Sequence, residues 1–281
     1  METKDLENLI QWYPGHMAKA MRNIRENANI CDLFIVVLDA RSPISTYNED
    51  FDSISPQKPR LFIITKEDMM DPSKKELINK RFGSENVLWV DLRKHSSKKV
   101  ILNKINKIMK PMVDKKKEKG FLNPKVKVMV VGVPNAGKST LINLMSNQNN
   151  LKVADYPGVT TVVKWVAVDN YYFMDTPGIL MPKIDDLEVA IKLSVIDSIK
   201  NSIFPVDLIS YAGYCLVSRY YPNIIKDLGV EPSEERVFVY SQFFKLAQIK
   251  KFLTKDGKPD ELRTQKWFLQ FLKNLRGVTY D

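Results

Sequence analysis

The sequence predicts an α/β fold with a mostly parallel sheet, followed by a smaller all-α region. Short, continuous apolar runs rich in β-branched residues begin at Leu33 (LFIVVLDA), Leu61 (LFIIT), Val87 (VLWVD) and Val126 (VKVMVV), and each is typical of a buried strand. Helical segments such as KKELINKRF and KVILNKINKIMK separate these runs. Beyond Pro182 strand-like runs become rare and helical patterns with aromatic residues take over. Alternating strands and helices indicate a parallel sheet covered by helices.

Two domains are expected in 281 residues, because one domain commonly takes roughly 100–200 residues. We predict an α/β domain with a short amino-terminal extension over residues 1–182 and a helical domain over residues 183–281. The charged stretch PMVDKKKEKGFLNPK is predicted to be a solvated linker or the end of a helix. A hydrophobic content of 44% excludes global disorder.

The composition narrows the class of partner. The formal net charge is +10, which favours a polyanion, with nucleic acid as the first candidate and an acidic membrane surface as the alternative. No apolar run approaches the ~18–20 residues of a membrane span, so stable membrane insertion is not expected. Two cysteines, Cys31 and Cys215, are too few for a disulfide framework and fit reducing surroundings.

A phosphate-binding loop is the most informative segment. Residues 132–139 read GVPNAGKS and match GxxxxGK[ST] in full, after a predicted strand and before the helical pattern TLINLMSN. Glycines let the backbone curl so that successive N–H groups point at phosphate oxygens. Lys138 is predicted to supply positive charge to the β- and γ-phosphates, and the Ser139 hydroxyl is a predicted magnesium ligand. The predicted phosphate-binding residues of this loop are Asn135, Ala136, Gly137, Lys138, Ser139 and Thr140.

Further metal and phosphate contacts are predicted downstream. Asp175 opens the segment DTPG at the end of the strand-like run YYFMD, where its carboxylate holds Mg²⁺ through water. The amide of Gly178 is placed to sense the γ-phosphate. In the intervening PGVTT, Thr160 is the predicted magnesium ligand and Thr161 the alternative.

Guanine recognition usually rests on an [NT]KxD segment that follows the phosphate-binding loop. Here Thr65-Lys66-Glu67-Asp68 closes the run LFIIT, well before that loop. The stem of Lys66 is predicted to lie across the base, and Asp68 to accept hydrogen bonds from N1 and N2 of guanine. The recognition segments therefore run in circularly permuted order.

A family resemblance covers about residues 10–185. The segments that carry it are QWYPGHMAKA, DAR (residues 39–41), TKED, GVPNAGKSTLIN, PGVTT and DTPGILMPK. The chain resembles the circularly permuted GTPases of ribosome biogenesis, of the ribosome-biogenesis GTPase A type, with its mitochondrial relatives. The resemblance implies a P-loop GTPase fold, GTP and GDP as nucleotides, and Mg²⁺. It also implies a late precursor of the large ribosomal subunit as substrate, with ribosomal RNA contacted by the carboxy-terminal helices.

Two positions depart from the pattern that this resemblance leads us to expect. Thr65 stands where asparagine is expected, so a hydroxyl replaces a buttressing amide. The next base-binding segment is expected to show Ser or Asn-Ser, but Asp91 and Leu92 stand there. We expect weaker guanine binding, with the specificity retained by Asp68.

The hydrolytic group is not the usual glutamine after DTPG, because Ile179 stands there. His16 is the predicted catalytic residue, and the resemblance implies that the matching histidine acts in hydrolysis. The alternative is a structural or RNA-facing histidine. His95 is predicted to be a surface residue. In related GTPases an asparagine at the place of Asn135 helps to hold K⁺.

The carboxy-terminal helices combine aromatic anchors with cations. The anchors that we expect in the core are Trp267, Phe268, Phe271 and Leu272. The cations that form a predicted RNA-facing surface are Arg263, Lys266, Lys273 and Arg276. A solvated helix face is the alternative for these cations. The amino-terminal residues that extend this surface are Lys19, Arg22 and Arg25.

The residues and the resemblance together predict a GTP-hydrolysing assembly factor. It is expected to bind ribosomal RNA, to promote late maturation of the large subunit and to be stimulated by that subunit. An RNA-binding switch with negligible intrinsic hydrolysis and an ATPase of the same fold are the alternatives. We expect a monomer in the bacterial cytoplasm, with the mitochondrial matrix or the inner-membrane surface as the alternative location.

Overall fold

The computed structural model describes residues 15–146, 165–181, 186–199 and 204–281. These residues divide into two compact units, one up to Pro182 and one beyond it. No helix in the described part of the chain is both long and apolar enough to span a membrane.

A single sheet organises the first unit, in the order β3-β2-β1-β4-β6-β5. The neighbouring strands are parallel, except that β5 is antiparallel to β6. This confirms the predicted, mostly parallel sheet. The strands are β1 (Leu33–Asp39), β2 (Arg60–Thr65), β3 (Val87–Trp89), β4 (Val126–Gly132), β5 (Trp165–Val168) and β6 (Tyr171–Asp175).

The edge strand β5 is an element that the sequence did not reveal. Its four residues are too few to give a clear pattern, and its partner β6 follows after a turn of two residues. Asp169 occupies the left-handed region in this turn, at φ 50°, as tight hairpin turns require. Strand β3 is also shorter than the run VLWVD, because pairing with β2 ends at Trp89.

Helices cover this sheet as the alternation predicted. The helices of the first unit are α1 (Gly15–Ala28), α2 (Lys75–Phe82), α3 (Ser96–Glu118) and α4 (Lys138–Ser146). Helix α3 runs through Pro111, so the first half of the charged stretch is the end of a helix rather than a linker. The apolar spacing explains this, since half-buried Met112 and Val113 continue the pattern of buried Met109.

The register of the sheet positions the candidate site. Thr65 lies opposite Asp39 at the ends of β2 and β1. On the other side of β1, Gly132 pairs with Val37, and Asp175 at the end of β6 pairs with Val130 of β4. Because the four strands are parallel, their carboxyl ends share one edge, where ligands of open α/β sheets bind.

The second unit is helical over its described residues, apart from an isolated bridge between Leu253 and Pro259. Its core centres on Tyr214, Phe243 and Phe268, whose ring centroids lie 5.3–5.7 Å apart. Of the expected anchors, Phe268 and Leu272 are buried, whereas Trp267 and Phe271 are half-buried and stack on each other. The helices are α5 (Leu187–Val195), α6 (Val206–Tyr220), α7 (Pro222–Asp227), α8 (Arg236–Ile249) and α9 (Glu261–Lys273).

Phe173 tests the core of the first unit, because it lies in β6 between two strands and has no exposed surface. Replacing Phe173 by alanine is expected to lower the free energy of unfolding by about 3–5 kcal/mol, through lost burial and the cavity left behind. The measurement is urea unfolding. Leu77→Ala on α2, where the side chain is 55% exposed, should change stability by no more than about 0.5 kcal/mol. Equal losses of unfolding free energy in the two variants would contradict the placement of Phe173 in the core.

Candidate nucleotide-binding site

The loop between β4 and α4 has the backbone of an anion cradle. Gly137 has φ 107° and Asn135 has φ 58°, both in the left-handed region. A Cβ on Gly132 would lie 2.4 Å from the carbonyl oxygen of Val37, so β1 and the start of the loop approach too closely for any side chain. Left-handed residues within such a loop turn successive backbone N–H groups towards one point, where they can donate hydrogen bonds to phosphate oxygens.

The DTPG segment lies directly against this loop. A Cβ on Gly178 would lie 2.7 Å from the backbone nitrogen of Pro134, which leaves room for glycine alone. The amide of Ile179 donates to the carbonyl of Gly132 at 3.1 Å, and the hydroxyl of Thr176 donates to Val130 at 2.6 Å. These contacts hold Asp175 and the Gly178 amide beside the loop.

Lys138 is buried at the start of α4, with 6% of the residue exposed. Its ammonium donates to the carbonyl of Val133 at 2.7 Å. Burial lowers the pKa of Lys138 to about 8, although the nearby carboxylate of Asp175 opposes this shift. An anion in the loop would restore the charge that burial disfavours. Ser139 and Thr140 follow, both exposed at the start of the helix.

Thr65 connects the end of β2 to the phosphate-binding loop. Its buried hydroxyl lies 2.6 Å from the carbonyl of Ala136 and 3.1 Å from that of Leu38. A hydroxyl has one proton and donates to one of these at a time, whereas an amide would offer two donors. The Thr65 side chain therefore still buttresses the site, with one donor fewer.

Asp39, at the end of β1, anchors the next segment. Arg41 contacts both carboxylate oxygens, through Nε at 3.0 Å and Nη2 at 2.8 Å. Lys66 Nζ lies 2.6 Å from Asp39 and also donates to the carbonyl of Asn135 at 3.0 Å. Burial alone would raise the pKa of Asp39, but Arg41 and Lys66 outweigh it and hold this pKa below its usual range.

The two carboxylates predicted to border the base share one arginine. Arg93 Nη2 lies 2.9 Å from Asp68, and Arg93 Nε lies 2.8 Å from Asp91. The hydrogen bond from Arg93 lowers the pKa of Asp91 to about 2. Sequence reasoning missed Arg93. The Asp-x-Arg spacing after β3 is the signal that could have revealed it, because it lets the guanidinium turn back onto the carboxylate. Leu92 is buried against Gly137.

The remaining predicted residues fall into three groups. Thr160 and Thr161 lie outside the described residues, and so does the side chain of His16, whose backbone is the second residue of α1. His95 is exposed, as predicted for a surface residue. Ile179 is fully buried in the hydrophobic core, so its side chain does not face a nucleotide.

Comparisons with known proteins agree with this geometry. Residues 127–238 match the protein family described as 50S ribosome-binding GTPase. Ribosome biogenesis GTPase A of Bacillus licheniformis is 35% identical over 232 residues, which span 80% of this chain and 82% of that protein. Short integuments 2, mitochondrial, of Arabidopsis thaliana is 36% identical over 208 residues, 69% of this chain and 53% of that protein.

A similar fold is found among solved structures. The crystal structure of GNP-bound YlqF from T. maritima matches with a TM-score of 0.65 over 94% of this chain and 97% of that one. The sequence identity is 24%, so this likeness supports the fold alone.

The pKa of Lys138 predicts how triphosphate binding depends on pH. With a pKa of about 8, the ammonium is mostly charged at pH 7 and mostly neutral at pH 9. Bound phosphate favours the charged form, so binding above pH 8 requires uptake of a proton. We expect the Kd for a nucleoside triphosphate to rise by up to about tenfold per pH unit above pH 8. Calorimetry in buffers of different ionisation enthalpy measures the proton uptake, and a Kd that stays constant from pH 7 to 9.5 would contradict the assignment.

Proposed function

The chain belongs to the ribosome biogenesis GTPase A family, and from this we propose that it promotes late maturation of the large ribosomal subunit by binding ribosomal RNA. It is a GTPase that binds guanine nucleotides and acts in ribosome biogenesis. We further propose that the large subunit stimulates hydrolysis. The observation that carries the proposal is the convergence of the phosphate-binding loop, Asp68 and Asp175 at one sheet edge in permuted chain order.

The two parts of the chain take different roles in this proposal. Residues 1–182 form the GTPase domain, and residues 183–281 form a helical domain that contacts the RNA of the large-subunit precursor. Exposed Lys266 and Arg263 on α9 support the second role, whereas Lys273 is half-buried and paired with Asp197 at 2.7 Å. The protein acts as a monomer in the bacterial cytoplasm, or in the mitochondrial matrix or at the inner-membrane surface if the chain comes from an organelle.

Magnesium fits the residues at the phosphate end of the site. The Ser139 hydroxyl is exposed at the start of α4, and the Asp175 carboxylate lies within electrostatic reach of Lys138. We assign Ser139 and Asp175 to Mg²⁺, with Thr160 as the further ligand. The ion supplies positive charge to the phosphate oxygens when bound. Lys138 and the amides of the loop bind and orient the β- and γ-phosphates.

Guanine is read at the other end of the site. Asp68 accepts hydrogen bonds from the base, while the stem of Lys66 covers its face and Leu92 borders it. The contacts of Lys66 to Asp39 and Asn135 support this placement, because they hold the ammonium away from the base. Arg93 occupies Asp68 Oδ2 and also pairs with Asp91, so base binding requires this guanidinium to yield or share that carboxylate.

Hydrolysis needs a group other than the residue after DTPG, because the buried side chain of Ile179 can neither accept nor donate a hydrogen bond to water. We assign this role to His16, at the start of α1, as the residue that orients or polarises the attacking water. Asn135, exposed in the loop, is assigned to K⁺. The charge of this ion would stabilise the negative charge on the phosphates during hydrolysis, as an arginine does in other GTPases.

Replacing Asp68 by asparagine tests base recognition. Loss of the charged acceptor is expected to weaken GTP binding by about tenfold or more, because hydrogen bonds to charged groups contribute about 1.5–3 kcal/mol each. The asparagine amide should at the same time favour xanthosine triphosphate, whose base carries an oxygen at C2. Competition binding with GTP, ATP and xanthosine triphosphate measures both effects. The matched control is Glu67→Gln, the neighbouring carboxylate, which pairs with Lys75. Unchanged preference for GTP in the Asp68 variant would contradict its role.

The decisive experiment is GTP hydrolysis by the purified protein in potassium buffer, with and without large ribosomal subunits. We expect strong stimulation by the subunit, and we expect His16→Ala to lower the stimulated rate by about a hundredfold or more. His95→Ala is the matched control, because that histidine is exposed. Sodium in place of potassium should lower the rate if Asn135 holds K⁺.

Other outcomes of the hydrolysis and competition experiments would contradict parts of this proposal. GTP binding without hydrolysis in either condition would favour an RNA-binding switch. Equal rates for His16→Ala and the unmodified protein would remove His16 from the mechanism. Competition by ATP as strong as that by GTP would favour an ATPase.

A further inference from the structure

The positive charge of the chain is concentrated in one segment. Residues 94–127 contain twelve lysines and two acidic residues, a net charge of +10, which equals the formal net charge of the whole chain. The rest of the chain is therefore neutral on balance. Residues 183–281 carry fifteen basic and thirteen acidic residues, so the helical unit contributes little of the net charge that points to a polyanion.

Helix α3 presents much of this charge on one face. The buried residues on its inner face are Ile101, Ile105 and Met109. Five lysines of α3 are exposed, and four of them, Lys99, Lys107, Lys110 and Lys117, are named here the lysine stripe; the fifth is Lys115. Three of them recur after eleven and seven residues, which is about three and two helical turns, so they lie in a row on the outer face. The stripe extends over about 27 Å at 1.5 Å per residue.

The lysine stripe has no structural role that explains it. None of its four lysines forms an ion pair with a residue in the described part of the chain. Lys99 lies in the first turn of α3, where the helix dipole disfavours cations, and Lys107 and Lys110 are neighbours of like charge. Other lysines anchor the helix, since Lys116 pairs with Asp32 at 3.4 Å and Lys98 donates to Met145 at 2.6 Å.

An RNA backbone fits this surface better than a membrane does. Helices that lie in a membrane surface insert their apolar face, but the apolar face of α3 is buried in the protein. A row of exposed ammonium groups suits the regularly spaced phosphates of a nucleic acid. Phe121, 59% exposed just after the helix, adds a ring of the kind on which unpaired RNA bases stack.

We propose that the lysine stripe of α3 is an RNA-docking surface on the nucleotide-binding unit, separate from the carboxy-terminal helices. This inference rests on the proposed function, which supplies ribosomal RNA as the partner. The stripe contacts phosphates and the Phe121 ring contacts a base, so it recognises the shape and charge of the RNA rather than its sequence.

The test compares two triple variants with the same loss of charge. The first is Lys107→Gln, Lys110→Gln and Lys117→Gln. The control is Lys80→Gln, Lys226→Gln and Lys245→Gln, three exposed lysines outside the segment. Binding to purified large ribosomal subunits is measured by co-sedimentation between about 50 and 200 mM potassium chloride. Thermal unfolding and basal GTP hydrolysis confirm that both variants remain folded.

The stripe variant is expected to bind the subunit about tenfold or more weakly at low salt, with the slope of log affinity against log salt reduced by about two. The control variant should lose clearly less affinity than the stripe variant, because none of its three lysines lies on α3. Equal binding by the stripe variant and the unmodified protein would overturn this inference alone, whereas no binding by the unmodified protein would overturn the proposed function itself. If the stripe variant lost binding to anionic phospholipid vesicles but still bound the subunit, the assignment of RNA as the partner would be overturned.

Discussion

A buried carboxylate holds the nucleotide site together. Asp39 ends the central strand β1 without exposed surface, and a charge taken out of water is unfavourable unless its partners replace the lost hydration. Arg41 does so through both carboxylate oxygens, and Lys66 adds a further contact. Because the ammonium of Lys66 also donates to Asn135, this one carboxylate fixes the ends of β1 and β2 and the phosphate-binding loop relative to one another. The DAR and TKED segments are thus parts of one ionic cluster.

The permuted order of the segments leaves this cluster intact, because a sheet edge depends on strand pairing and not on chain order. Strand β1 lies between β2 and β4, so TKED and the phosphate-binding loop flank it although they are far apart along the chain. Thr65 completes the arrangement by contacting backbone carbonyls of both β1 and the loop. What the permutation changes is the chain that connects these parts, in particular the stretch from β3 through α3 to β4.

That stretch links base recognition to the basic surface. Asp91, Leu92 and Arg93 lie shortly before α3, and the hydroxyl of Ser97 in its first turn donates to the carbonyl of Asp91 at 2.7 Å. Under our proposals one helix therefore carries the RNA-facing lysines and anchors the segment beside the guanine. Helix α3 would then contact the RNA and also respond to the bound nucleotide. This suits a GTPase whose affinity for RNA depends on which nucleotide it holds.

The sequence by itself determined the sheet without its edge strand β5, the phosphate-binding loop and the family, because buried strands, loop glycines and Lys138 leave clear local patterns. It also placed Asp68 and Asp175 at strand ends, where a parallel sheet brings them to one edge. Only the tertiary structure decided which charges pair. The contacts of Lys66 with Asp39 and of Arg93 with Asp68 join residues that are 27 and 25 positions apart, and such pairs leave no periodic signal. The passage of α3 through Pro111 was likewise decided by burial of its apolar face, which outweighed the local signal of a charged linker.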